Sequence, residues 1–113
     1  MFGRLPIAVM AVSALAGAAH AAEVGRAKLD EARSLIAEAA MIEQLLNEDR
    51  ISETYADAQR EDVRKDLVKL KKEQGLESAA QSALDALDRH DIATLNAIRD
   101  RLIAIERANG RAG

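Results

Sequence analysis

The sequence predicts an all-α protein, a small bundle of three to four helices that follows an N-terminal signal peptide. Apolar residues recur at steps of three and four over most of residues 23–108, as they do in helices that pack on one face. The single proline, Pro6, lies in the leader, so no proline breaks a helix downstream. We expect residues 22–113 to form one helical domain built from two antiparallel helical hairpins.

The predicted signal peptide covers residues 1–21. Its apolar, uncharged run Leu5–Ala19 follows a lone Arg4 and ends in small residues, the order typical of an export signal. The run is about 15 residues long, shorter than the roughly 20 needed to span a bilayer as a helix. We expect cleavage after Ala21 and delivery to the bacterial periplasm or the medium. An uncleaved N-terminal anchor is the alternative.

The first predicted helix, α1, covers residues 23–48. Its heptad pattern lasts for little more than two repeats, which favours a helix in a bundle over a long coiled coil. A turn is expected over 47–52, because Asp49 or Ser52 can cap a new helix. One long helix over 26–74, bent at this point, is the alternative. The predicted inner face of α1 contains Ala32, Leu35, Ala39, Ile42 and Leu46.

The second predicted helix, α2, covers residues 53–74 and is expected to stop at Gly75, a typical C-terminal residue. Its charges are divided between its two ends: residues 43–62 carry a net charge of −5, and residues 64–72 carry +4. The helix could therefore steer an acidic partner or pair end-to-end with a second copy in an antiparallel dimer. A solvated helix face is the favoured interpretation. The narrow apolar stripe of α2 contains Tyr55, Ala56, Val63, Leu67 and Leu70.

The remaining helices are predicted over residues 77–89 (α3) and 92–108 (α4). Ser78 and Gln81 have the spacing of a capping box for α3, Asp91 can cap α4, and Asn109-Gly110 should end it. The very short link predicts an antiparallel hairpin. Residues 76–108 combine an Ala/Leu helix, an acidic turn and a second helix that opens on isoleucine. This stretch resembles the helical hairpin in the lid of Hsp70-type chaperones, which implies the hairpin and no catalytic residue.

The sequence supplies few residues for catalysis or metal binding. There is no cysteine, and His90 is the only histidine left after the leader is removed. Zinc sites use Cys and His, so we expect no metal and no cofactor. We expect His90 to be exposed or to help cap α3, with a role as a pH sensor as the alternative.

In size, and in the pattern Arg33, Leu45-Leu46, Arg50 and Arg60-Glu61, the chain resembles small exported all-helical chorismate mutases. That resemblance implies arginines on a small-molecule substrate, together with a lysine between the second arginine and the Arg-Glu pair. Residues 51–59 contain no lysine. We therefore expect no catalytic activity and no small-molecule substrate, with mutase activity as a second alternative.

The expected function is docking on a protein partner or self-association. Without the leader, 15 basic and 19 acidic residues remain, a net charge of −4, which argues against nucleic acid as a partner. Contact with an anionic membrane surface is a further option. A chaperone-like factor or an anchored subunit of an envelope complex is the alternative function. The candidate partner-binding residues are Tyr55, Lys65, Lys69 and Lys72. For Tyr55 the favoured interpretation is that its ring fills a packing gap beside Ile51 and Leu46.

Overall fold

The computed structural model of the chain describes residues 24–112, with side chains up to residue 110. This part of the chain is all-helical and contains four helices: α1 (Arg26–Asn47), α2 (Glu53–Leu70), α3 (Glu77–Asp88) and α4 (Ile92–Ala112). The predicted signal peptide lies outside the described residues. Among the helices of residues 24–112, none is both long enough and apolar enough to cross a membrane.

Apolar side chains from all four helices form one core. Much of it is alanine: Ala39, Ala56, Ala83 and Ala86 are each fully buried. Small side chains add little apolar area, so the larger ones provide most of the hydrophobic stabilisation, at about 1.5–3 kcal/mol each. The largest fully buried side chains are Leu29, Ile36, Val63, Leu67, Leu76, Leu87, Leu95 and Leu102.

Helix α1 contacts the other three helices and shares its largest interface with α4. Two ion pairs show which segments lie beside its start. Arg33 Nε donates to Glu106 Oε1 at 2.8 Å, which brings the last turns of α4 to the first turns of α1. Lys28 Nζ lies 3.5 Å from Glu73 Oε1, which brings the α2–α3 turn to the same end.

Helices α1 and α2 are separate, as the capping residues predicted, and are not one bent helix. Helix α1 ends in a Schellman motif: the Asp49 N–H donates to the Leu46 carbonyl at 3.0 Å, and the Arg50 N–H to the Leu45 carbonyl at 2.9 Å. Asp49 has a φ of 58°, the left-handed conformation this motif requires. Helix α2 then begins at the predicted cap, where Ser52 Oγ accepts from the Tyr55 N–H at 3.1 Å.

Helix α2 ends at Leu70, four residues before the predicted end at 74. Leu70 and Leu76 are both buried, and the chain reaches both positions by turning through residues 71–76. Gly75, with a φ of 90°, lies within this turn and does not directly follow α2. Lys72 is therefore outside the helix.

The predicted ends of α3 and α4 also need correction. The N-cap of α3 is Leu76, with no side-chain hydrogen bond, so the capping box of Ser78 and Gln81 does not form. Burial of Leu76 sets the start of the helix, and Gln81 Nε2 instead donates to Asp85 Oδ1 at 2.9 Å. Helix α4 continues past Gly110 to Ala112, because its last turns lie along α1. The predicted cap of α4 is confirmed, since Asp91 Oδ1 accepts from the Thr94 N–H at 3.1 Å.

Candidate functional site

An open cleft of about 640 Å³, here called the acidic cleft, lies at one end of the bundle. The end of α1, the start of α2, the α3–α4 turn and the start of α4 meet there. Four carboxylates line this cleft and are accompanied by one arginine and one histidine. Its lining residues are Glu43, Leu46, Asn47, Asp49, Glu53, Asp57, Arg60, His90 and Ile92.

The acidic cleft is built on a buried ion pair between α1 and α2. The side chains of Glu43 and Arg60 are 2% and 10% exposed. Arg60 Nη2 donates to Glu43 Oε1 at 2.9 Å, and Arg60 Nε donates to the second carboxylate oxygen, which makes a two-pronged pair. Arg60 Nη1 donates to Asp57 Oδ1 at 2.7 Å. Two carboxylates, those of Glu43 and Asp57, therefore contact the guanidinium group.

Two opposing effects set the ionisation of Glu43. Burial would raise the pKa of its carboxyl group. Hydrogen bonds from Arg60 and His90, with the charge of Arg60, outweigh that cost and hold the pKa of Glu43 below its ordinary value. Glu43 also raises the pKa of Arg60. Both groups are charged at neutral pH, so the site contains a buried carboxylate held by two cationic or hydrogen-bonding partners.

His90 reaches Glu43 from the turn between α3 and α4. Its Nδ1 lies 2.8 Å from Glu43 Oε1, and its side chain is 60% exposed. The backbone of His90 is left-handed, with a φ of 56°. It completes a Schellman motif in which its N–H donates to the Leu87 carbonyl at 3.2 Å and the Asp91 N–H to the Ala86 carbonyl at 2.9 Å. The expected exposure of His90 is confirmed, and its contact with Glu43 ties the turn to α1.

Replacing His90 with glycine should leave the protein about 1 kcal/mol more stable than replacing it with alanine. Both substitutions remove the imidazole, but only glycine accepts the left-handed backbone at this position without strain. Urea unfolding of the two variants at pH 7.5 measures the difference. Equal stabilities would contradict the left-handed conformation of residue 90. The difference between wild type and His90→Ala then contains the contribution of the imidazole contact.

The structure does not gather the candidate partner-binding residues at one place. Tyr55 is 54% exposed in the first turn of α2, so the prediction that it fills a packing gap is wrong. Ala56, one residue on, occupies the inward position instead. Lys65 and Lys69 are exposed along α2, and Lys72 follows its end. Tyr55 lies about 21 Å from Lys69 along the helix axis, at a rise of about 1.5 Å per residue.

The sequence carries a signal for the buried pair in the position of Arg60. Arg60 is in helical step with the buried residues Ala56, Val63 and Leu67 on α2. A charged residue within an apolar stripe requires a buried partner of opposite charge. Nothing local identifies that partner, because Glu43 is 17 residues away in the chain.

The three arginines of the mutase-like pattern lie in different surroundings. Arg33 bonds to Glu106 and to Asp30 at 3.0 Å, which raises the pKa of Arg33 through both carboxylates. It lines a separate cleft at the other end of α1. The side chain of Arg50 is 70% exposed, and Arg60 is buried.

The residues from 24 to 112 include no group of three or more His, Cys, Asp or Glu side chains placed to hold a metal ion. A scan against protein-family models finds none that matches the chain. Searches of curated proteins and of solved structures also find no match. The function of the protein is therefore inferred from its own residues and their geometry.

Proposed function

We propose that the chain is an exported helical protein that docks on a protein partner through its acidic cleft and has no catalytic activity. Cleavage after Ala21 would release residues 22–113 into the periplasm or the medium. In the exported form, α1 and α2 make one antiparallel hairpin, and α3 and α4 make the other. No small-molecule substrate takes part in this function.

The observation that carries the proposal is a group of exposed carboxylates above a buried ion pair. Asp49, Glu53 and Asp57 are exposed and line the same cleft. The buried pair of Glu43 and Arg60 joins α1 to α2, which carries Glu53 and Asp57, and Asp49 lies in the turn between these helices. A surface that is already ordered loses little side-chain freedom when a partner binds. The cleft is thus suited to a segment that presents lysine or arginine side chains.

Charge sets how such a partner would approach. The exported chain carries a net charge of −4, and three exposed acids line the cleft. Complementary charge mainly raises the rate of association and determines which partner is chosen. Its effect falls as salt is added. Leu46 and Ile92 add apolar surface to the lining of the same cleft.

Co-purification with a matched control tests the proposal. The full chain, with a C-terminal tag, is expressed in a bacterial host, and its intact mass should show a chain that begins at Ala22. The cleft variant is Asp49→Asn/Glu53→Gln/Asp57→Asn. The control is Glu61→Gln/Asp62→Asn/Asp66→Asn, which removes the same number and types of charge from exposed positions of α2 outside the cleft.

Wild type and control should retain a protein from envelope extracts that the cleft variant loses, with the retained protein identified by mass spectrometry. Retention that is equal for all three would contradict docking at the acidic cleft. A purified chain that still begins at residue 1 would contradict release by cleavage.

A further inference from the structure

We propose that the partner seated in the acidic cleft is the opposite, basic end of a second copy of this chain. The inference rests on the proposed function in one respect, that the acidic cleft is a docking site. It adds the identity of the occupant and predicts assembly of the protein from head to tail.

The two ends of the bundle are defined by contacts to α1, whose 22 residues place its ends about 30 Å apart. Glu43, near the end of α1, holds α2 through Arg60 and the α3–α4 turn through His90. Near the start of α1, Lys28 reaches the α2–α3 turn and Arg33 reaches the end of α4. Each end therefore gathers segments that are distant in sequence.

The two ends carry opposite net charge. At the acidic end, seven carboxylates and four guanidinium groups give −3: Glu43, Glu48, Asp49, Glu53, Asp57, Asp88 and Asp91, with Arg50, Arg60, Arg64 and Arg89. At the basic end, seven cations and six carboxylates give +1: Arg26, Lys28, Arg33, Lys69, Lys71, Lys72 and Arg107, with Asp30, Glu31, Asp66, Glu73, Glu77 and Glu106. Attraction between copies is strongest when unlike ends face each other.

The basic end also has a cleft of its own, of about 440 Å³. Arg26 and Arg33 from α1 and Arg107 from α4 line it, and Arg26 and Arg107 are exposed. A guanidinium group matches a carboxylate with two parallel hydrogen bonds. Carboxylates on the rim of the acidic cleft, such as Glu53 and Asp57, supply that chemistry.

The start of α1 is an unfavourable place for the charge of Arg26, whereas Lys28 already pairs with Glu31 and Glu73. Its first turn carries Arg26 and Lys28 and no acidic residue, and Gly25 provides no capping side chain. Cations at the positive end of a helix dipole are disfavoured. Carboxylates from a second copy would relieve this repulsion, so the feature favours an acidic occupant over an apolar one.

The two docking surfaces differ, so the contact is heterologous. Such contacts form rings or open chains and do not stop at a two-fold dimer. Because the charges are exposed, the association should be weak and should disappear when salt shortens the Debye length from about 30 Å at 0.01 M to about 3 Å at 1 M.

A charge-swap experiment tests this inference. Sedimentation velocity is measured on the protein purified from an exporting host, in about 0.01 M and about 1 M salt. One variant, Glu48→Lys/Glu53→Lys, makes the acidic end basic. The other, Lys69→Glu/Arg107→Glu, makes the basic end acidic. Glu61→Lys/Asp62→Lys is the control for the acidic-end variant, with the same charge change placed in the middle of α2.

Wild type and control should sediment faster with increasing concentration in low salt, and this increase should vanish in high salt. Each end variant alone should associate at least about tenfold more weakly than the wild type. An equimolar mixture of the two variants should recover the association. Circular dichroism checks that each variant is folded; one that is not is replaced by Glu48→Gln/Glu53→Gln or Lys69→Gln/Arg107→Gln, each expected to weaken association alone.

A monomeric wild type in low salt overturns the inference, as does a folded mixture that fails to re-associate. If the wild type is monomeric while the co-purification still shows cleft-dependent retention of another protein, the docking function stands and the second copy is excluded as its partner.

Discussion

Replacing Glu43 with alanine should lower the free energy of unfolding by about 3 kcal/mol. The substitution leaves the Arg60 guanidinium buried without its two-pronged carboxylate, and removing one partner of a buried pair costs about 3–5 kcal/mol. The lower figure applies because Asp57 still accepts a hydrogen bond from Arg60 Nη1. Urea unfolding at pH 7, followed by circular dichroism, measures the loss.

The double variant Glu43→Leu/Arg60→Leu provides the control for this prediction. It replaces both charges with apolar side chains, and such replacements in buried pairs are often neutral or stabilising. The double variant should therefore be more stable than Glu43→Ala. If the double variant loses more stability than Glu43→Ala, the loss in Glu43→Ala does not come from leaving the charge of Arg60 buried without a partner.

The contribution of Glu43 should also depend on pH. Its pKa is lower in the folded protein than its ordinary value near 4.5, so its stabilising effect is complete above that value. The effect is lost as the pH falls through the folded pKa. The difference in stability between wild type and the uncharged Glu43→Gln variant should therefore narrow below about pH 4. A difference that is constant from pH 7 to 3 would contradict a lowered pKa of Glu43 in the folded protein.

Replacing Leu95 with alanine should cost about 2–5 kcal/mol, the range for buried leucines whose removal leaves a cavity. Leu95 is fully buried near the start of α4. A small domain has only about 5–15 kcal/mol of stability, so this single change removes a large share of it. Thermal unfolding measures the effect.

Met41→Ala is the control for the leucine variant. Met41 is 60% exposed on α1, and exposed substitutions usually change stability by less than about 0.5 kcal/mol. If Leu95→Ala and Met41→Ala lower the stability equally, Leu95 does not contribute to the core as described.

Local features of the fold could be predicted because they depend on neighbours in sequence. Apolar periodicity predicted the four helices, and the caps at Ser52 and Asp91 need only a side chain and a backbone N–H three residues on. The end of α2 could not be predicted in this way. It depends on where Leu76 is buried, and burial is decided by the whole bundle.

The candidate site could not be predicted for a related reason. An apolar stripe shows that a helix has a buried face, but it does not show which helix that face meets. The large interface of α1 with α4 therefore could not be predicted from the apolar stripes alone. His90 and Glu43 are 47 residues apart, and their contact requires the α3–α4 turn to reach the end of α1. Export and partner binding remain predictions.

The carboxylate of Glu43 holds three distant parts of the chain at once, through Arg60 on α2 and His90 after α3. If any of these parts detaches, a charge that was shielded from water loses its partner, so a partly opened molecule is costly. Amide hydrogens of α1, α2 and the α3–α4 turn should therefore exchange with deuterium as one cooperative unit. Before all three parts meet, the same ionised groups remain hydrated and do not favour partly folded states.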